Sequence, residues 1–144
     1  METYVIGESM DEYFVAWSSA TIKGIPIDDV LAPDVENRSE LAHSLKLEGQ
    51  RIIKAKGAVT FGIASAVLSI CSTILFDKRK TLPLSHYQPE MGCCLSLPVV
   101  LGRNGIIETI PISLNKVEQI HFTATGRELR EEVERVQSQL LSIA

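Results

Sequence analysis

Residues 57–76, GAVTFGIASAVLSICSTILF, decide how the rest of the chain is read. Twenty consecutive residues carry no charge between Lys56 and Asp77, a length that could cross a bilayer. Thr60, Ser65, Ser69, Cys71, Ser72 and Thr73 dilute the apolar residues, and no second such segment exists to pack beside it. Gly62, Ala64, Ser65 and Ala66 suit a helix that other backbone approaches closely on several sides. A helix apolar nearly all round is either buried in a core or in a membrane. The expectation here is a buried central helix, with Gly57 marking a break before it.

Working outward, 144 residues are enough for one domain with a real core, and a single domain over 1–144 is expected. Apolar residues make up 45% and charged residues 22%, the balance of a globular protein. The formal net charge is -4 with the two signs interspersed. That leaves no basic face for nucleic acid. Cys71, Cys93 and Cys94 are odd in number and lack C-x-x-C spacing, which fits a reducing compartment better than a disulfide framework or a zinc site. The N-terminal METYVIGESMDEYF is acidic and without a basic leader, so a cytoplasmic address is expected.

Upstream of the central run, Thr3-Tyr4-Val5-Ile6 reads as a strand rich in β-formers, ended by Gly7. From Asp11 a helix is expected, with Phe14, Trp17 and Thr21 on one face, closed by Gly24 and Pro26. Residues 27–38 read as a polar connection. Ser39 reads as the N-cap of a second helix striped by Leu41, Leu45, Ile52 and Ile53, running to Lys56. Downstream of Asp77 the pattern turns extended. Strands are expected over 82–86 and 94–102, the second alternating Leu95, Leu97, Val99 and Leu101 onto one face. Pro98 within it suggests an edge position or a bulge. Asn104-Gly105 predicts a tight hairpin with positive φ at both central positions, returning over 106–112. Asn115 then caps a final helix, with Glu118 placed as in a capping box and Leu129, Val133, Val136 and Leu140 on the docking stripe.

Three features could carry chemistry. Gly7-Glu8-Ser9-Met10-Asp11 partly matches the nucleophile elbow G-x-S-x-G, with His43, His86 and His121 as possible bases. Asp11 replaces the closing glycine, and an ordinary turn is the simpler reading. The junction Lys56-Gly57-Ala58-Val59, followed by Thr60, could line a pocket or be a bare helix kink. Arg103 at the hairpin tip could grip an anion or be an ordinary exposed turn residue.

Several long blocks, in order, resemble one family. Tyr4-Val5-Ile6-Gly7-Glu8 with Phe14-Val15-Ala16-Trp17-Ser18, and Ile52-Ile53-Lys54-Ala55-Lys56-Gly57-Ala58 with Phe61-Gly62-Ile63-Ala64, resemble the C-terminal, substrate-binding half of the L-lactate, malate and 2-hydroxyacid dehydrogenases. Leu82-Pro83-Leu84-Ser85 and the run from Leu95 to Gly105 extend that resemblance over nearly the whole chain. It implies an α/β (α+β) fold of twisted antiparallel strands beside long helices, with no Rossmann half, and it implies that the central helix is buried.

The resemblance also marks departures. The family's Gly-Glu-His-Gly-Asp carries the histidine that exchanges a proton with the substrate oxygen. Ser9 stands at that histidine and Met10 at the next glycine. A serine hydroxyl is too weak an acid and base near neutral pH for that task, and lost general acid–base catalysis costs roughly a hundredfold to ten-thousandfold in rate. Val59 stands where the family places a pocket-lining threonine, with Thr60 one position along. Members regulated by a sugar bisphosphate carry a basic residue where this chain has Glu2. No G-x-G-x-x-G occurs in the sequence, and the family's dinucleotide fold and substrate-binding arginines belong to its other half. The resemblance therefore implies no cofactor held by this chain itself and NAD only if it is joined to that half. It also implies a homo-oligomer, a Rossmann-domain partner, and neither nucleic acid nor membrane as partner. Two functions stay open: the substrate-binding domain of an oxidoreductase, inactive alone, or a non-catalytic assembly or regulatory domain.

Overall fold

The computed structural model describes residues 2–7, 13–31 and 35–143. Strand β1 (Val5–Gly7) pairs antiparallel with β2 (Tyr13–Val15), Ile6 opposite Phe14. Ile6 and Ala16 are fully buried and, with Leu97, form a core cluster against which Phe14, Ile112, Leu114 and Phe122 pack. The helix expected from Asp11 does not form. Asp11 itself lies outside the described residues, Tyr13–Val15 is a strand, and Trp17–Ser19 is a single 3-10 turn. The spacing of Phe14, Trp17 and Thr21 imitates a helix face, but the β-forming run Tyr13-Phe14-Val15 finds a partner in β1 and bonds to it instead. Strands β3 (Thr21–Ile22) and β4 (Ile25–Pro26) form a second hairpin. Its two turn residues, Lys23 and Gly24, have φ of 52° and 81°, the turn hand that matches strand twist. Gly24 thus turns a hairpin rather than closing a helix.

Helices α1 (Ile27–Val30) and α2 (Val35–Lys56) occupy much of the expected polar connection. Ser39 lies inside α2 and is not its N-cap. The polar residues ahead of it do not bar a helix, because α2 presents most of its surface to solvent, Leu41, Leu45 and Ile52 included. Its first turns are anchored by Arg38, whose Nη2 donates to Asp28 Oδ1 at 2.5 Å and whose guanidinium lies 5.6 Å from the Trp17 ring centroid. Gly57, at φ 78°, ends α2, and the chain bends through 114° into α3 (Thr60–Leu75).

Helix α3 is the uncharged run, and it is not buried. Phe61 is 83% exposed, Leu68 70% and Phe76 71%, while Thr73 alone in the helix is buried. The expected buried central helix is thus corrected: its composition is that of a helix needing cover, but most of its surface is open. Among the described residues only β6 packs against it closely, at its C-terminal turns. No single described helix is long and apolar enough to cross a membrane; α2 and α3 pass that test only as a bent pair.

The main sheet has the order β5–β6–β7, from Lys80–Gln88, Cys93–Gly102 and Gly105–Thr109, all antiparallel. Leu95, Leu97, Val99 and Leu101 are all buried, as their alternation predicts. Pro98 is not at an edge: β6 is the central strand. Pro98 faces Pro83 across the β5–β6 ladder, and its carbonyl accepts from Ile110 N–H at 2.8 Å on the opposite side. Its nitrogen points the same way as that carbonyl, toward Ile110 just past the end of β7, so the complementary bond to Ile110 O is missing and the β6–β7 ladder stops there. The register shift in β6 falls between Val100 and Leu101 instead. In the β6–β7 hairpin Gly102 faces Gly105, and positive φ falls on Gly105 alone, at 99°. Arg103 and Asn104 thus sit in a turn of ordinary hand followed by a glycine bulge, not in a turn with two positive-φ centres.

Helix α4 (Lys116–Ile143) begins in a complete capping box. Asn115 Oδ1 accepts from the N–H groups of Val117 and Glu118 at 2.9 Å each, and Glu118 Oε2 accepts from Asn115 N–H at 3.0 Å. The other Glu118 oxygen accepts from Ser18 N–H at 3.1 Å, tying the helix start to the N-terminal hairpins. Further along, α4 lies so close to the sheet that a Cβ on Gly126 would stand 2.7 Å from Met91 Sδ. Leu129 is half-buried on the docking stripe, whereas Val133, Val136 and Leu140 are exposed beyond the sheet.

The end of α3 is closed by a Schellman motif. Lys78 N–H bonds Thr73 O at 3.0 Å and Asp77 N–H bonds Ile74 O at 3.2 Å. Asp77 takes the left-handed position at φ 46°, where glycine is usual. Its Oδ1 accepts from Arg103 N–H at 2.8 Å, clamping the β6–β7 turn to the helix end. That bond, and to a lesser degree the Arg79 charge, hold the Asp77 carboxyl below its ordinary value of 3.8 against a smaller opposing effect of burial. A lowered carboxyl stabilises the fold above the unfolded value and loses that contribution as pH falls through the folded one. Asp77→Asn, which tolerates the same backbone and keeps an acceptor, should therefore destabilise the chain near neutrality. The gap to the parent should close between about pH 5 and pH 2. Urea midpoints at both ends of that range test this, and an unchanged gap would refute it.

Candidate functional site

Two places combine chemistry with shape. The first is the α2–α3 junction. Gly57 N–H still bonds Ile53 O at 2.7 Å, and Val59 then serves as the N-cap residue of α3 at φ -91°, ψ 34°. Val59 offers no side-chain oxygen, so the helix start has no side-chain cap bond. Val59 is half-buried, while Thr60 is exposed as the first residue of the helix. The junction sits at the end of α3 remote from the sheet, about 24 Å from the other end by helix rise. No fixed donor other than backbone gathers there among the described residues. Ser9, with Glu8, Met10 and Asp11, lies outside the described residues.

The second place is a cleft of about 590 Å³ lined by Gln88, Glu90, Leu97, Thr109, Ile112 and Phe122, among others. His86 stands at its side. Its Nδ1 lies 3.1 Å from Leu84 O, an oxygen that can only accept, so the proton belongs on Nδ1. Nε2 then accepts from Thr109 Oγ1 at 2.9 Å and Gln88 Nε2 at 2.8 Å. His86 and Gln88 share a face of β5 by simple alternation, which the sequence displays. Thr109 comes from β7, across the central strand; the bulge that brings it there has no sequence signal, so the trio was missed. Both ring nitrogens of His86 are thus engaged by neighbouring groups of the sheet.

The remaining histidines do not converge. His43 is exposed on α2, and His121 is exposed on α4 with its ring 6.0 Å from that of Phe14. Glu2 pairs through its backbone with Thr21 and leaves its side chain exposed. Among the described residues no group of three or more metal-ligating side chains assembles. As for a dinucleotide, the residues present do not fit one: no Gly-rich strand-to-helix loop exists in the sequence, the helix start at Val59 follows a helix rather than a strand, and that at Asn115 has no glycine beside it. The latter has its first N–H groups already taken by Asn115 Oδ1.

Gly57 is open to a direct check. A Cβ there would meet nothing within 4 Å, so Gly57→Ala should cost only the left-handed backbone penalty, about 1–2 kcal/mol. Gly57→Asn should cost less. Urea unfolding measures both, and an alanine variant as stable as the parent would mean the junction is not held in that conformation.

Comparison with known proteins places this geometry. The family described as the lactate/malate dehydrogenase, alpha/beta C-terminal domain matches residues 1–140. The L-lactate dehydrogenase of Streptococcus equinus is 34% identical over 140 residues, covering 90% of this chain and 42% of the relative. That of Deinococcus radiodurans is 37% identical over 132 residues, covering 88% and 43%. A lactate dehydrogenase from a Medee basin deep-sea metagenome library superimposes with TM-score 0.83 at 27% identity, covering 92% of this chain and 45% of that one. The chain therefore spans less than half the length of these relatives. It belongs to the lactate/malate dehydrogenase C-terminal domain family.

Proposed function

We propose that this lactate/malate dehydrogenase C-terminal domain acts as the substrate-side half of a 2-hydroxyacid oxidoreductase architecture and does not turn over substrate by itself. The observation that carries the reading is the uncovered apolar face of α3 in a chain that spans 42% of a relative's length. Phe61, Leu68 and Leu75 on one side of α3, Ile63 and Val67 on another, and Phe76 at its end are all exposed, apolar surface that calls for a partner. A Rossmann-fold partner carrying NAD, or a second copy of the chain, would supply it. In this reading Val59 lines the substrate side of the junction in place of the family's threonine, and Ser9 stands in place of its histidine. A cytoplasmic location accompanies it.

Ser9 favours the second reading, a non-catalytic assembly or regulatory domain of the same descent. A hydroxyl cannot serve as the proton donor and acceptor that hydride transfer to a 2-oxo acid requires near neutral pH. The dinucleotide, when held by a partner, would supply the hydride; this chain would supply the pocket wall.

An activity assay separates the readings. The purified chain, and its Ser9→His variant, should oxidise no NADH with pyruvate above the blank. Fused to the Rossmann half of a relative, Ser9→His should exceed the parent by roughly a hundredfold to ten-thousandfold. NADH oxidation by the chain alone overturns the proposal. A folded Ser9→His fusion that stays inactive favours the non-catalytic reading.

Light scattering tests the uncovered face. The chain should associate with itself as concentration rises, and Phe61→Glu with Leu68→Glu should suppress that association. A parent that remains monomeric, or a double variant that associates equally, removes α3 as an assembly surface.

A further inference from the structure

We propose that the tip where α3 turns into β5, beside the β6–β7 hairpin, is a binding site for a small, multiply charged phosphate anion held by Arg79, Lys80 and Arg103. Arg79 and Arg103 are both brought to one carboxylate, and Lys80 adjoins them through the strand pairing. Asp77 Oδ1 accepts from Arg103 N–H at 2.8 Å, and Arg79 Nε lies 3.4 Å from Asp77 Oδ2. Lys80 pairs in register with Leu101, two residues before Arg103. With Lys78, four cations stand against the single Asp77 carboxylate, on a chain whose formal net charge is -4.

The plainer reading is that these residues merely complement the negative end of the α3 dipole. Only Lys78 behaves that way. It turns back to donate to Ser72 Oγ at 2.7 Å and lies 5.6 Å from the Phe76 ring centroid. The last carbonyls of α3 are already taken by the Asp77 and Lys78 N–H groups. Apart from Asp77, the Arg79 and Arg103 guanidinium groups and the Lys80 ammonium have no ion-pair partner among the described residues. Glu108, the next carboxylate along the hairpin, pairs with none of them.

The site is also stiff. Asp77 and Arg79 both hold left-handed backbone, at φ 46° and 48°, conformations that persist where surrounding contacts over-determine them. Gly102 lets the turn approach: a Cβ there would stand 2.9 Å from Asp77 Oδ1 and 2.7 Å from Ile107 Cδ1. Planar guanidinium forks match phosphate oxygens in pairs, and a lysine adds a point charge. The tip is at the opposite end of α3 from Val59, about 24 Å away by helix rise, so it is separate from the junction. Nothing in it depends on the oxidoreductase reading.

The test titrates the full chain with inorganic diphosphate at constant ionic strength, following backbone amide shifts, with sulfate as the control anion. Saturable shifts centred on residues 77–81 and 101–105 are expected, with affinity for diphosphate roughly tenfold or more above that for sulfate. Arg103→Gln and Arg79→Gln should each weaken binding by about fivefold or more while leaving the circular dichroism spectrum unchanged. Shifts that do not saturate, that sulfate reproduces at equal concentration, or that survive both substitutions overturn the proposal.

Discussion

The alternation along β6 is the constraint on which the other elements depend. Cys93, Leu95, Leu97, Val99 and Leu101 are buried, and this one strand meets β5, β7, β1, α3 and α4. A one-residue slip would turn all five side chains to the other face. The slip is opposed at both ends and in the middle. The Arg103 turn is clamped by Asp77. Gly126 is pressed against Met91, at the turn that leads into the strand. Pro98 fits where its missing N–H falls at the end of the β6–β7 ladder rather than within it.

The same strand explains why α3 is a helix without a core. β6 can cover only the turns near Thr73, since the remaining turns extend past the sheet. Burying a large apolar side chain is worth about 1.5–3 kcal/mol, so six exposed ones represent a driving force of the order of total domain stability. The chain thus has its packed apolar surface at the sheet and its open apolar surface along α3. The division coincides with the length comparison: the relatives carry more than half of their chain outside the matched region.

What was legible in the sequence follows from which signals are local. The β6 alternation, the Asn115–Glu118 capping box and the break at Gly57 each depend on neighbours a few positions apart, and all are seen. The long-blocks resemblance identified the family and its mixed fold. Burial of α3 was misread because composition reports that a helix needs cover, not that cover is present. The Tyr13–Val15 strand was misread because Phe14, Trp17 and Thr21 fit the helical period, and the pairing with Val5–Gly7 overrides that pattern. Pro98 was misplaced because the rule against proline in a central strand concerns the direction of one N–H, which only the register fixes. Of the candidate site, Val59 could be placed on an element, while Ser9 falls outside the described residues. The His86–Thr109 contact needed a bulge no residue pattern announces.

Asp77 shows how a local cost can be retained for a distant gain. Glycine would adopt the left-handed end of α3 without penalty, and the Schellman bonds of Asp77 and Lys78 are backbone bonds that glycine would make equally well. Only a side-chain acceptor reaches across to Arg103 N–H, and glycine has none. The strain at φ 46° is therefore the cost of joining the end of α3 to the β6–β7 turn. With the turn fixed there, Arg79 and Arg103 are brought near a single carboxylate whose two oxygens engage one backbone N–H and one guanidinium Nε. That carboxylate cannot neutralise both arginines and the adjoining lysines, so the interaction that locks the register of the sheet also leaves positive charge in excess at its tip.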